Sequence, residues 1–203
     1  MNDKKIVILG RSGSGKDTVA CHLINKYGLK QLISTTTRAK RFEDEDTHIF
    51  VTKEEAARMT DRVASTVING YEYFATREQF EACDIYLIDP NGLDYLVESC
   101  PNVPLIMVYV DAKFTDRYHR AIARGEDPDQ EKEIFRSRNA SENERFSNLE
   151  SLLNHSSIKD LKAKYPTITT AYVISNRGTL IDLYAKVDSM YQEISNDFTL
   201  QIL

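Results

Sequence analysis

Apolar positions along this chain fall in short continuous runs separated by longer stretches of mixed character. Ile6-Val7-Ile8-Leu9 stands between Lys5 and Gly10, and further runs occur at Leu32-Ile33, Ile85 to Ile88, Leu105 to Val110 and Tyr172 to Ile174. Runs of this length without polar alternation suit strands covered on both faces, as in a parallel sheet. Between them the spacing turns helical. Gly15 to Tyr27 sets Val19, Ala20, Leu23 and Ile24 on one stripe and stops at Gly28, a residue suited to the left-handed turn that ends a helix. Helical patterns also occupy Arg77 to Ala82, Gly92 to Ser99, Ala112 to Arg124 and Thr179 to Ile194. Strands alternating with helices predict βαβ units, hence an α/β three-layer sandwich with a parallel sheet between helical layers.

Two stretches interrupt the alternation. Ser34 to Thr76 is polar, rich in Thr, Arg and acidic residues, with β-like pieces at Ile49-Phe50-Val51 and Tyr71 to Phe74. Gly125 to Asn154 is highly charged and has no strand-like run. Both are too poor in Gly and Pro for flexible linkers. They are expected to rise over the carboxyl edge of the sheet, where open α/β sheets bind ligands. The predicted organisation is one domain: a core of 1–33, 77–124 and 155–203, an insertion of 34–76, and a lid with its following helix at 125–154.

Composition narrows the class. A chain of 203 residues is long enough to bury a core of its own. Its net charge of -5 argues against broad nucleic-acid binding, which needs a basic face to release counterions, but leaves room for a local basic pocket. No apolar run approaches the ~18 residues of a membrane span. The opening Met-Asn-Asp-Lys-Lys leads into the first strand without the apolar region of a secretory leader. A cytoplasmic protein is expected, monomeric or homodimeric, with neither nucleic acid nor membrane as partner. Cys21, Cys83 and Cys100 have no metal-ligand spacing, so reduced thiols in or near the core are expected.

Gly10-Arg11-Ser12-Gly13-Ser14-Gly15-Lys16-Asp17-Thr18 lies between the first strand and the first helix. It matches the phosphate-loop pattern G-x-x-x-x-G-K-[ST] everywhere but the last position, where Asp17 replaces the hydroxyl residue. Glycines let the backbone N–H groups converge on an oxyanion, and the helix N-terminus adds partial positive charge. Gly10, Ser12, Gly13, Ser14, Gly15, Lys16, Asp17 and Thr18 are therefore expected around the phosphates of ATP, with Lys16 between the β- and γ-phosphates. An Asp17 carboxylate can take Mg²⁺ directly or through water. A second cluster, Ser34-Thr35-Thr36-Thr37-Arg38-Ala39-Lys40-Arg41, concentrates hydroxyls and cations after the second apolar run. Hydroxyls with guanidinium forks suit a phosphomonoester, because one fork pairs with two phosphate oxygens.

The order of these features resembles the guanylate kinase family of nucleoside monophosphate kinases. A phosphate loop is followed by S-x-T-T-R-x-x-R, an apolar-aromatic pair, G-x-x-Y and an Asp closing the third strand. The likeness covers roughly residues 4–140 and returns at Val173-Ile174-Ser175-Asn176. It implies a P-loop NTPase-type core with an acceptor-binding insertion and a mobile lid, and transfer of the γ-phosphoryl of MgATP to a nucleoside monophosphate, GMP or dGMP first. By this likeness Lys16 grips ATP, Asn176 lies near its adenine, and Ser34, Arg38, Arg41 and Tyr73 meet the acceptor phosphate. Asp89 stands at the base or metal end. Lid arginines among Arg117, Arg120, Arg124, Arg136 and Arg138 would stabilise transition-state charge, with Arg124 and Arg136 the principal candidates.

Departures from the family pattern cluster at guanine recognition. The family glutamate that accepts N1–H and N2–H₂ corresponds to Ala64, its tyrosine before the apolar-aromatic pair to His48, and one acid of its third strand to Leu87. Glu72 and Thr76 are the neighbouring candidates to substitute, and Glu72 is taken as the acceptor-binding one. The run Glu43-Asp44-Glu45-Asp46 reads as a solvated turn. Two other readings stay open: a kinase of another small phosphorylated metabolite, and an inactive binding module that recognises a phosphorylated or acidic partner.

Overall fold

The computed structural model describes residues 4–40, 42–123, 127–155 and 158–199. In chain order the elements are β1 (Lys5–Leu9), α1 (Lys16–Tyr27), β2 (Thr35–Thr36), β3 (Ile49–Phe50), α2 (Lys53–Arg58), β4 (Arg62–Ile68), β5 (Tyr71–Thr76), α3 (Arg77–Glu81) and β6 (Ile85–Leu87). There follow α4 (Pro90–Ser99), β7 (Leu105–Asp111), α5 (Phe114–Ile122), α6 (Pro128–His155), α7 (Ile158–Lys164), β8 (Ile168–Ser175) and α8 (Leu180–Thr199).

The strands β6-β1-β7-β8 form one sheet, parallel throughout. Strand periodicity divides their side chains between two faces. Ile6, Ile8, Ile85, Ile106, Val108, Val110 and Ile174 meet Val19 and Leu23 of α1 and Leu183, Val187 and Met190 of α8. Val7, Leu9, Tyr86, Leu105, Met107, Tyr109 and Ile168 meet Leu93 and Leu96 of α4, Phe146 and Leu149 of α6 and Leu161 of α7. Both faces are thus covered, which is why these strands read as unbroken apolar runs, and the result is the α/β three-layer architecture of P-loop NTPases. On the outer face, Asp188 joins α8 to α1 by accepting from Lys26 and Tyr27 and bonding His22. Burial pushes its carboxyl up, but those hydrogen bonds outweigh it and leave the pKa at about 2.

The second sheet, β3-β2-β5-β4, is built from the Thr- and Arg-rich interruption. Here β5 runs antiparallel to both β2 and β4, while β2 and β3 are parallel. One expectation changes. The run Leu32-Ile33 makes no strand: Gln31 forms a single bridge to Ile85, and the chain then leaves the core, with Ile33 exposed. The charged stretch after α5 contains a continuous 28-residue helix, α6. It buries Phe135, Glu142, Phe146 and Leu149, a stripe at helical spacing. Among the cysteines, Cys83 and Cys100 are buried, Cys21 is exposed, and none is paired. Among the described residues no helix is long and apolar enough to cross a membrane.

Candidate active site

The phosphate loop leaves the carboxyl end of β1 and enters α1. Its shape needs glycine: Gly13 (φ +79) and Gly15 (φ +98) are left-handed, and a Cβ on Gly13 would lie 2.7 Å from the Arg117 carbonyl oxygen. Gly15 is the N-cap of α1 and offers no side-chain cap, so the first-turn N–H groups are available to an anion. The loop's carbonyls are held from behind. Asn176 Nδ2 donates to Ser14 O at 2.7 Å, Arg117 Nη1 to Ser12 O at 3.2 Å, and Arg120 Nη1 to Gly13 O at 3.2 Å. Arg117 is 5 % exposed, and burial lowers its pKa from the usual value.

α6 lies across this loop and supplies three groups from one face. Glu142, 6 % exposed, accepts from Ser12 N–H at 2.9 Å and from the Ser12 hydroxyl at 2.6 Å. A carboxylate of the protein's own thus sits on an amide of its anion loop. Arg11 Nε and Nη2 reach both oxygens of Glu150 at 2.6 and 2.7 Å, and Arg11 Nη1 donates to Asn143. Tyr109 also donates to Glu150. Burial works against the Glu150 charge, but hydrogen bonds from Arg11 and Tyr109 outweigh it and hold the carboxyl below its ordinary range.

A cleft of about 750 Å³ joins the loop to the second sheet. Its lining includes Gly10, Ser12 and Lys16 of the loop, Ser34, Arg38, His48 and Tyr73 of the second sheet and its approaches, and Thr66, Asp89, Arg138 and Arg145. Ser34 Oγ bonds His48 Nδ1 at 3.0 Å. The Arg38 fork holds Glu45 through Nη2 to Oε1 at 2.8 Å and Nη1 to Oε2 at 3.2 Å, and lies over the Phe50 ring. The hydrogen bond to Glu45 raises the Arg38 pKa further, so the guanidinium is always charged. Asp89 caps α4 by accepting from Gly92 N–H at 2.8 Å, and its Oδ2 also accepts from Thr66 at 3.1 Å and Arg145 at 2.8 Å.

Lys16, Ser34, Arg38, Tyr73 and Asp89 are therefore brought to one cleft. Glu72, Arg136 and Asn176 are not. Glu72 lies on the other face of β5 from Tyr71 and Tyr73, bonded to Arg62 at 2.5 Å, because neighbours along a strand point to opposite faces. Arg136 is exposed and pairs with Glu133, while Arg138 lines the cleft in its place. Asn176 is buried beneath the loop it holds. Glu45, read as part of a solvated turn, is 2 % exposed. Thr76 caps α3 in a capping box with Gln79. Arg41 and Arg124 lie outside the described residues. Asp17 is exposed, with Oδ2 3.4 Å from Lys16 Nζ. Among the described residues no three His, Cys, Asp or Glu side chains gather into a metal site.

Sequence reasoning missed Glu142 and Arg145. A charged residue four before Phe146 and seven before Leu149 falls on the buried stripe of a helix, and that spacing was the available signal.

The guanylate kinase family profile matches residues 2–168. Among solved structures the fold is similar to that of a guanylate kinase from Anaplasma phagocytophilum, at 14% identity and a TM-score of 0.53, covering 94% of this chain and 85% of that one. An uncharacterized protein from Eubacterium ventriosum aligns at 14% identity and a TM-score of 0.45, covering 94% of this chain and 98% of the other. No curated protein matches the chain.

Proposed function

The chain belongs to the guanylate kinase family, and from that premise we propose that it transfers the γ-phosphoryl of MgATP to a nucleoside monophosphate, with GMP and dGMP the first acceptors to assay. The supporting observation is the single cleft that carries both the phosphate loop, at Gly10, Ser12 and Lys16, and the hydroxyl-arginine cluster, at Ser34, Arg38 and Tyr73. Donor and acceptor phosphates bound at these two places face each other, and in such transfers positioning and charge stabilisation carry the reaction. Lys16 and the first-turn N–H groups of α1 hold the triphosphate. Ser34, Arg38 and Tyr73 hold the acceptor phosphate in line, with Arg41 added on the family likeness. Asp17 would hold Mg²⁺ beside the triphosphate, where the ion neutralises charge on the β- and γ-oxygens. Arg138, and Arg124 and Arg136 on the family likeness, are the arginines proposed to reach the transferring group. The reading places the protein in the cytoplasm.

Purified protein with MgATP and a panel of nucleoside monophosphates is expected to form ADP with at least one of them. ATP binding without turnover across the panel would remove this reading, and absence of ATP binding would favour a binding module.

Glu142 must leave Ser12 when a triphosphate enters, because two anions cannot share one amide. Glu142→Gln removes the competing charge and is expected to tighten MgATP binding about tenfold, in line with a charge-assisted hydrogen bond. Calorimetry with MgATP measures it. Weaker binding in the variant would instead place the carboxylate among the groups that hold the nucleotide.

A further inference from the structure

The family's carboxylate reading of guanine has no counterpart at its usual place here, since Ala64 is 1 % exposed within β4 and carries no polar side-chain atom. Asp89 cannot replace it. Its Oδ2 accepts from both Thr66 and Arg145, which fills two lone pairs, and Oδ1 already accepts from Gly92 N–H. A single lone pair remains, whereas N1–H and N2–H₂ of guanine need two acceptors side by side. What faces the cleft at this place is a cation. Arg145 is half-buried, fixed by Nε to Ser141 O at 3.3 Å and Nη1 to Asp89. Its Nη2 bonds none of the described residues, and the side chain lines the cleft.

The position is right for the far end of a nucleotide. Thr36, Tyr73 and Thr66 stand in one cross-strand row, Thr36 paired with Tyr73 and Tyr73 with Thr66. Thr66, which shares Asp89 with Arg145, is thus two strand spacings from the β2 end that leads to Arg38, roughly 10 Å. That is the reach from a nucleotide's phosphate to its base. A guanidinium donates and cannot accept, so it favours a carbonyl oxygen and disfavours an amino group at the same place.

Resting on the kinase reading of this site, we infer that Arg145 is a specificity-determining residue that reads a keto oxygen on the acceptor base. The acceptors it selects are nucleoside monophosphates with a carbonyl at that edge, and the 2-amino group of guanine goes unread.

Calorimetric titration of the full chain with GMP, IMP and AMP tests this. GMP and IMP share the 6-keto oxygen and are expected to bind with similar affinity. AMP carries an amino group there and is expected to bind roughly 10–100-fold more weakly, the range of a hydrogen bond to a charged donor. Arg145→Met should remove that preference, and Arg145→Lys, which keeps a cationic donor, should retain most of it. Equal unfolding midpoints for the variants and the parent chain separate loss of reading from loss of fold. GMP binding 100-fold above IMP, a keto preference surviving Arg145→Met, or no binding of any of the three would each overturn the inference. Turnover on the same panel is a separate result: a keto preference in binding without phosphoryl transfer keeps the inference and removes the kinase reading.

Discussion

Lys16→Ala is expected to lower phosphoryl transfer by about 10²–10³-fold, the usual cost of deleting one preorganised charge from a transition-state site. Lys16 opens α1 and lines the cleft, and in the proposed reaction its ammonium would follow charge as it moves from the γ-phosphate to the bridging oxygen. Its side chain is 27% exposed, and the ion pair it makes with Asp17, at 3.4 Å, is a weak surface contact. The unfolding midpoint should therefore not fall, so the loss can be assigned to chemistry. Steady-state ADP release at saturating acceptor gives the rate, and thermal unfolding gives the control. Activity above a tenth of the parent would overturn the assignment of the loop.

Arg38→Ala is expected to damage both activity and stability, for different reasons. On the proposed reading the acceptor phosphate loses a guanidinium beside it, so the acceptor KM should rise and kcat should fall together, since the phosphate must be held in line as well as bound. At the same time Glu45, whose side chain is 1% exposed, loses its ion pair with Arg38. Breaking a buried pair from one side costs about 3–5 kcal/mol, which denaturant titration will show as a lower midpoint. Arg38→Met combined with Glu45→Leu separates the effects, because an apolar replacement of both partners is close to neutral for stability. The double variant should fold like the parent and still fail to transfer. Recovery of transfer would mean that Arg38 only holds its turn and does not meet the acceptor.

The phosphate loop and the apolar strands were legible in the sequence because each is a local pattern. The loop is a fixed spacing of residues, and Ile6 to Leu9 or Leu105 to Val110 declare burial on both faces by containing nothing polar. A helix was expected after the lid, but its buried face was hidden because the stripe Phe135, Glu142, Phe146 and Leu149 is sparse and includes a charge. β4 was missed for a related reason: Arg62-Val-Ala-Ser-Thr-Val-Ile mixes types and takes its strand form from pairing with β5. Glu45 looked solvated among four consecutive acids, and only the return of the chain past Arg38 buries it. Glu72 was open to correction from the sequence itself, since placing Tyr73 in the site puts Glu72 on the other face. The contacts of Asn176 and Arg117 with the loop join residues more than a hundred positions apart, and no local pattern reports them.

The carboxylate of Glu142 on Ser12 also bears on which solutes the loop admits. Bare phosphate loops are promiscuous oxyanion traps, open to whatever inorganic phosphate or sulfate surrounds them. Here the resting loop already has a tethered counter-charge at high local concentration, so a small dianion offers little that the protein does not supply itself. A triphosphate bound as proposed would touch several amides and Lys16 at once and so displace the tethered group. On the proposed reading the loop acts as a filter by valence, and the same glutamate that is expected to lower nucleotide affinity would also keep small oxyanions out of the site.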